Sequence, residues 1–414
     1  MKKVFLSLFG IIVLITSYKV IDQYFLGKHY VFAPPIPFYG DSIINPYSKI
    51  KLDEIQVANF HAHTKNSILN GQGSAEDVFK KYTDIGVNIH SVSQYHRIDT
   101  IGKLQKNYIP VYEHGYNLAK THQLVIGAKG VIQKDYIFPQ SIHNKQEILE
   151  LLANDTNNIV VLSHPSLSNG YTVEDLKLLH FYNHLEVFSP YANSINYWDT
   201  LLSAGKNIFI VANDDIHDIF DNNEIGRFVN LLYSKNTYQN SVINTLKSGS
   251  HAVVWLPQCT GESLLEKQQK ISAIKGLLQK FEVNNKTLSI SFDRPVDTLV
   301  FVGQSGKLLT TEHLTSHVEF SLPDNFTYVR VEARFKDGTR VLFNPVFKSR
   351  SITLVERNTF AKMFVINNDN QSTKNNIALF ALFSIISFIR FRKKKLKSAY
   401  FWVKNDANKK LSHD

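Results

Sequence analysis

From Glu54 to about Val254, short apolar runs alternate with amphipathic stretches, and this alternation narrows the folds open to the chain. Candidate strands lie at 55–60, 88–93, 108–112, 123–126, 158–163, 184–188, 207–212 and 227–233. Candidate helices fill several of the intervals. One starts after Ser74, with Asp77 at the reciprocal capping position, and another after Thr172, with Asp175 there. Others cover 145–153, 194–204 and 238–247. Seven or eight β/α units in about 200 residues predict a parallel sheet, and a closed barrel accommodates that count better than an open sheet.

Beyond about residue 281 the pattern changes to strands without intervening helices, at 287–292, 298–302, 317–322, 327–335 and 340–343. Such a run predicts a small all-β sandwich over 281–350, joined to the barrel by a helical connector over 255–280. Residues 28–53, rich in Pro, Tyr and Asn, read as an extended lead-in.

The two ends carry the charge. The net charge is +10, but 390–414 holds nine Lys or Arg against two Asp, a net +7, and Lys2 and Lys3 add +2. The body is therefore close to neutral and lacks the footprint for a phosphate backbone, so no nucleic-acid partner is expected. An apolar run at 4–18 follows Lys2-Lys3, and a second at 377–389 precedes a basic stop-transfer run. These predict a signal anchor over 1–27 and, after a 351–374 linker, a transmembrane helix over 375–391 with a basic tail over 392–414. The positive-inside rule then places both termini in the cytoplasm and the barrel outside, with the lipid bilayer as a partner. A single cysteine, Cys259, excludes an intramolecular disulfide and Cys-rich metal modules. Heavy Lys and Asn usage suggests a bacterial source with AT-rich codons.

Polar, metal-binding residues end four separate apolar runs. The first run ends in Asn59-Phe60-His61-Ala62-His63-Thr64, where residues two apart share a face. Glu113 ends the run at 108–112, His164 the run at 158–163, and Asp215-Ile216-His217 the run at 207–212. Successive spacings from His61 are 52, 51 and 51 residues, two β/α units each time. A barrel gathers such strand ends at one rim. Imidazole and carboxylate donors without thiolate suit Zn²⁺, Mn²⁺ or Fe²⁺, and the chemistry of such sites is hydrolysis by metal-activated water. P-loop, Rossmann glycine and nucleophile-elbow motifs are lacking, which removes support for phosphorylation and hydride transfer.

At these residues the chain resembles the PHP (polymerase and histidinol phosphatase) superfamily of metal-dependent phosphoesterases. His61-Ala62-His63-Thr64, Glu113, Ser163-His164-Pro165 and Asp215-Ile216-His217 follow its motifs in order over about residues 54–254. The resemblance implies a distorted seven-stranded β/α barrel and hydrolysis of phosphomonoesters or phosphodiesters. It also implies that His61, His63, Glu113, His164, Asp215 and His217 are metal ligands, with Glu113 a bridge and Glu113, His164 and Asp215 catalytic. Several positions depart from the family pattern. Asn59 replaces the usual Asp, and Ser93-Gln94-Tyr95-His96 stands where Asp-His is expected, so the histidine comes one position late. His96 can still reach the site from a loop and is expected as a further ligand. His122 and Glu186 read as structural. The retained donors suffice for two ions, with a third site weak or vacant. The expected substrate is a phosphorylated small molecule or an envelope polymer. Two other readings stay open: an amidohydrolase-like enzyme acting on C–N bonds, and a barrel without catalysis serving as an envelope binding module.

Overall fold

The computed structural model describes residues 2–65, 71–259, 261–350 and 390, and the chain forms two compact units. The smaller unit takes in Met1–Tyr30 and Val365–Asp414. Its helix α1 (Lys2–Ile21) has Lys2 and Lys3 at one end and Lys19 near the other. Its uncharged stretch, 4–18, is fifteen residues. At 1.5 Å per residue that spans only about 22 Å, short of a hydrocarbon core of roughly 30 Å. No helix among the described residues is long and apolar enough to cross a membrane. The expected flanking membrane helices, and with them the membrane placement with cytoplasmic termini, are therefore not supported. The second expected span, 375–391, lies outside the described residues apart from Arg390.

The larger unit, Val31–Phe364, holds the remaining described elements. In chain order they are β1 (Ser42–Ile44), β2 (Ile55–Asn59), α2 (Ala75–Asp84), β3 (Ile89–His90), β4 (Val111–His114), β5 (Gln123–Ile126), α3 (Ile142–Leu152), β6 (Ile159–Leu162), α4 (Val173–Leu178), β7 (His184–Ser189), β8 (Ala192–Asn193) and α5 (Ile195–Ser203). Next come β9 (Phe209–Ala212), β10 (Phe228–Tyr233), α6 (Gln239–Ser248), β11 (His251–Trp255), α7 (Leu264–Ile274), β12 (Leu278–Asn284), β13 (Thr287–Gly303), β14 (Lys307–Ser321), β15 (Tyr328–Arg334) and β16 (Arg340–Ser349). Side-chain caps start four of the helices: Ser74, Ser141, Thr172 and Ser263 each accept from the backbone three residues on, and Asp77, Asn144, Asp175 and Glu266 reciprocate.

The strands do not close into a parallel β/α barrel followed by a separate sandwich. They form two curled mixed sheets. One has the order β12-β13-β15-β16-β11-β10-β2-β3, with β1 beside β16 and β14 beside β13; the other runs β4-β5-β6-β7-β8, with β9 beside β7. Among the described strands only β2–β3, β6–β7 and β7–β9 pair in parallel, while β4–β5, β5–β6, β10–β11 and β10–β2 are antiparallel. Chain length explains part of this. Eight residues, 115–122, separate β4 from β5, and a parallel crossover needs about a dozen or more.

The sandwich expectation fails at β16, which pairs with β11 through Ala252↔Phe343 to Trp255↔Arg340 and so continues the same sheet. Residues 341–347 of β16 are all buried, the mark of a strand covered on both faces rather than one. A buried ion pair adds a second tie. Arg330 of β15 donates to both carboxylate oxygens of Asp199 in α5, at 2.6 and 2.7 Å, with its guanidinium 5.4 Å from the Trp198 ring centroid.

Side-chain amides bridge the seam along β9. Asn230 of β10 accepts from the Ala212 amide and donates to the Ala58 and Ala212 carbonyls. Asn344 of β16 accepts from the Ile210 amide and donates to the Gly249 and His251 carbonyls. Both asparagines are wholly buried, so these bonds satisfy backbone groups that would otherwise be stranded away from water. The ion pair gives a direct test of the fold. Arg330→Met should cost about 3–5 kcal/mol in urea unfolding, and Asp199→Leu in the same chain should recover much of it, because an unpaired buried charge is worse than none. Unchanged stability in the single variant would contradict the tie.

Candidate metal centre

The chain leaving β2 is held in extended form from both sides. Ala62 bridges Ile216 in parallel, the His63 amide donates to the Ile216 carbonyl at 2.9 Å, and Ser93 exchanges hydrogen bonds with Ala62. Alternation then turns Ala62 into the apolar core and His61 and His63 together toward the site. Glu113 comes from within β4 and is wholly buried. His164 and Asp215 follow β6 and β9 with left-handed backbones, φ 30° and 43°, a conformation costly for non-glycine residues.

Neighbouring carboxylates hold these turns. Asp214 accepts from the amides of Gly226, Arg227 and Phe228 and from the Tyr82 hydroxyl; Glu224 accepts from the amides of His217 and Asp218. Burial pushes Asp214 up to about 6, against the pull of those donors.

Three groups of side chains could each hold a cation: His61, His63 and Glu113; His63, Asp215 and His217; and Glu113, His122 and His164. Donor atoms within each group lie within 4.8 Å of one another. His61 Nε2 is 3.4 Å from Glu113 Oε2 and 3.2 Å from Asp215 Oδ1, and His63 Nε2 is 3.1 and 3.2 Å from the same two oxygens. The other oxygen of Glu113, Oε1, is 2.9 Å from His122 Nδ1 and 3.4 Å from His164 Nε2. One carboxylate thus presents a separate oxygen to each of two imidazole pairs.

The donor set fits a divalent cation. His61 Nε2, His63 Nε2, His122 Nδ1, both Glu113 oxygens and Asp215 Oδ1 are buried yet have no aligned hydrogen-bond partner. Donors about 3.0–3.4 Å apart are the edges of an octahedron or tetrahedron whose centre is about 2.1 Å from each ligand. Tautomers agree with this. His61 Nδ1 lies 3.0 Å from Glu186 Oε1 and His217 Nδ1 lies 2.8 Å from the Asp215 carbonyl. Both partners can only accept, so each Nδ1 carries the proton and each Nε2 keeps its lone pair.

Without a cation the cluster charges itself. Burial favours neutral rings, but the Asp215, Glu113 and Glu186 carboxylates outweigh it and hold His61 well above the ordinary imidazole range. His63 and His164 are raised against burial by Asp215 and Glu113. Glu113 lies well below the carboxylate range, burial notwithstanding, because of His122 and His61; Asp215 is lowered by His61 and His63.

Of the residues read from sequence, His61, His63, Glu113, His164, Asp215 and His217 are brought together, and His96 is not among these groups. His96 Nε2 accepts from the Gly115 amide at 2.9 Å, and its ring stacks on Tyr116 at 4.3 Å and lies 4.4 Å from His114. The ring of Tyr95 turns to the site instead, stacked on His63 at 4.9 Å with its hydroxyl facing Glu113. His122, read as structural from sequence because it precedes a strand, belongs to a donor group. Since β5 runs antiparallel to β4 and β6, its start lies at the rim where its neighbours end. Glu186, also read as structural, belongs to no donor group and acts from inside the buried run of β7. It accepts from His61 Nδ1, the His164 amide and Asn213 Nδ2, linking three parts of the site.

No family model matches the chain, and no curated protein matches it in sequence. Among solved structures, a two-domain protein containing a predicted PHP-like metal-dependent phosphoesterase from Bacteroides vulgatus ATCC 8482 is similar at 13% identity and a TM-score of 0.41. The match covers 74% of this chain and 95% of that one.

The protonated rings make metal uptake pH-dependent. Their raised pKa values mean that His61, His63 and His164 hold protons to higher pH in the metal-free protein than free imidazoles do, and a metal must displace whatever protons they carry. Mn²⁺ titration at pH 7 should release protons, read as calorimetric heats that vary with the buffer's ionisation enthalpy. Affinity should weaken as the pH falls further below the raised imidazole range. Heats independent of buffer would contradict the assignment of these rings as ligands.

Proposed function

We propose that this chain is a metal-dependent hydrolase, and that its substrate is a phosphomonoester or phosphodiester of a small molecule or polymer. The observation that carries the reading is Glu113, whose two oxygens serve two imidazole pairs across a wholly buried carboxylate. A lone pair on one imidazole nitrogen binds one ion, and His63 Nε2 faces both Glu113 Oε2 and Asp215 Oδ1. The first two groups therefore merge around His63, while His122 and His164 form a second site that shares Glu113. Two ions of Zn²⁺, Mn²⁺ or Fe²⁺ are the count this arrangement supports.

Bound divalent ions would supply Lewis acidity and a water acidic enough to attack at neutral pH. The chain's part is to hold the donors in place. Glu186 fixes the His61 tautomer and the turn at His164, and Asp214 and Glu224 fix the turn that carries Asp215 and His217. A shared glutamate at the bridge favours phosphoester over amide hydrolysis, where a bridging modified lysine would stand instead.

The test is activity of the full chain, supplied with Mn²⁺ or Zn²⁺, on p-nitrophenyl phosphate, bis-p-nitrophenyl phosphate and aryl amides. Ester cleavage should be abolished by chelation and restored by metal. Asp215→Asn should lower it by about two orders of magnitude. Cleavage of amides alone would favour the C–N hydrolase reading, and equal ester turnover with and without chelator would end the metal mechanism.

A further inference from the structure

Tyr95 sits at the junction of the two proposed ion sites. Its ring stacks on His63 with centroids 4.9 Å apart and planes 20° apart, and meets the edge of His122 at 5.4 Å and 74°. Those two histidines belong to different donor groups that share Glu113. The backbone fixes the ring there. Tyr95 bridges Glu113 in parallel, the Glu113 amide donates to Gln94 and the His96 amide to Glu113, and the Tyr116 hydroxyl donates to the Tyr95 carbonyl. The side chain is half-buried, so it is reached from solvent while its hydroxyl faces the shared carboxylate.

A phenol is a neutral O–H donor and a poor competitor with imidazole or carboxylate for a divalent ion. Placed between two ion sites, it is suited to the oxygen of an anion that spans them. We propose that Tyr95 is a substrate-binding residue whose hydroxyl donates a hydrogen bond to a non-bridging oxygen of the bound phosphoryl group. The proposal rests on the phosphoester reading of the site, and it makes Tyr95 part of the anion subsite rather than of the metal shell.

The experiment compares wild type, Tyr95→Phe and Tyr238→Phe as full chains loaded with Mn²⁺. Three quantities are read: metal equivalents by elemental analysis, the Kd of inorganic phosphate by calorimetry, and KM and kcat for p-nitrophenyl phosphate. Tyr95→Phe should keep the wild-type metal content and bind phosphate about tenfold to a hundredfold more weakly, the loss expected for one hydrogen bond to a charged group. Tyr238→Phe removes the same atom from an exposed tyrosine at the start of α6, outside every donor group, and should bind phosphate within about twofold of wild type, as neutral surface changes do.

Loss of metal from Tyr95→Phe would make the phenol a ligand and overturn the proposal. So would phosphate affinity that is unchanged in Tyr95→Phe, or weakened equally in both variants. If wild type holds metal but neither binds phosphate nor cleaves the ester, the phosphoester reading falls and takes the proposal with it. Ester cleavage by wild type with a silent Tyr95→Phe overturns the proposal alone.

Discussion

A carboxylate with no exposed surface has to be compensated on the spot, and Glu113 is such a group. His61 and His63 face one of its oxygens, and His122 and His164 face the other. Those four imidazoles come from the end of β2, the start of β5 and the end of β6, with Glu113 itself inside β4. Compensation of one buried charge therefore requires distant parts of the larger unit to converge. Glu186 repeats the logic one step further out, accepting from a ring, a backbone amide and a side-chain amide drawn from three of them.

Convergence of this kind needs a scaffold that tolerates irregular edges. The strands around the site make two mixed sheets, and among the described strands β9 pairs only with β7. Asn230 and Asn344, with His251 at the Ile210 carbonyl, meet further polar groups of β9, acting as spacers where a strand would otherwise pair. Asn344 lies on β16, in the segment whose strand pattern resembles a free-standing sandwich. That segment is thus part of the support for the rim on which Asp215 sits, through β16 against β11 and the Arg330–Asp199 pair against α5.

Two of the donors are presented on strained backbone. His164 and Asp215 both adopt left-handed backbones, and each is anchored by an adjacent carboxylate accepting backbone amides: Glu186 for the first, Asp214 and Glu224 for the second. His96 also has positive φ, but its nitrogen is engaged by Gly115, and its displacement from the site leaves the neighbouring phenol in the position facing Glu113.

The one-dimensional pattern determined a good deal. Apolar runs located β2, β5, β6, β7, β9 and β10 within a residue or two, because strand burial writes itself as local hydrophobicity. Capping residues marked the starts of α2 and α4 for the same local reason. The polar residues ending four runs at even spacing singled out six of the seven donors that converge. Local signals do not say which strand lies beside which, or in what direction. That β5 runs antiparallel, bringing His122 to the rim, follows from pairing with β4 and β6. That β16 joins β11, extending one sheet across a supposed boundary, follows from contacts between residues about ninety apart. An apolar run at the amino terminus signals a helix but not its fate, since three lysines shorten its uncharged span below a bilayer's thickness. Tyr95 facing Glu113, with His96 turned aside, was decided only when the backbone after β3 paired with β4, because parity along a strand stops at its end and tertiary hydrogen bonds orient the residues beyond it.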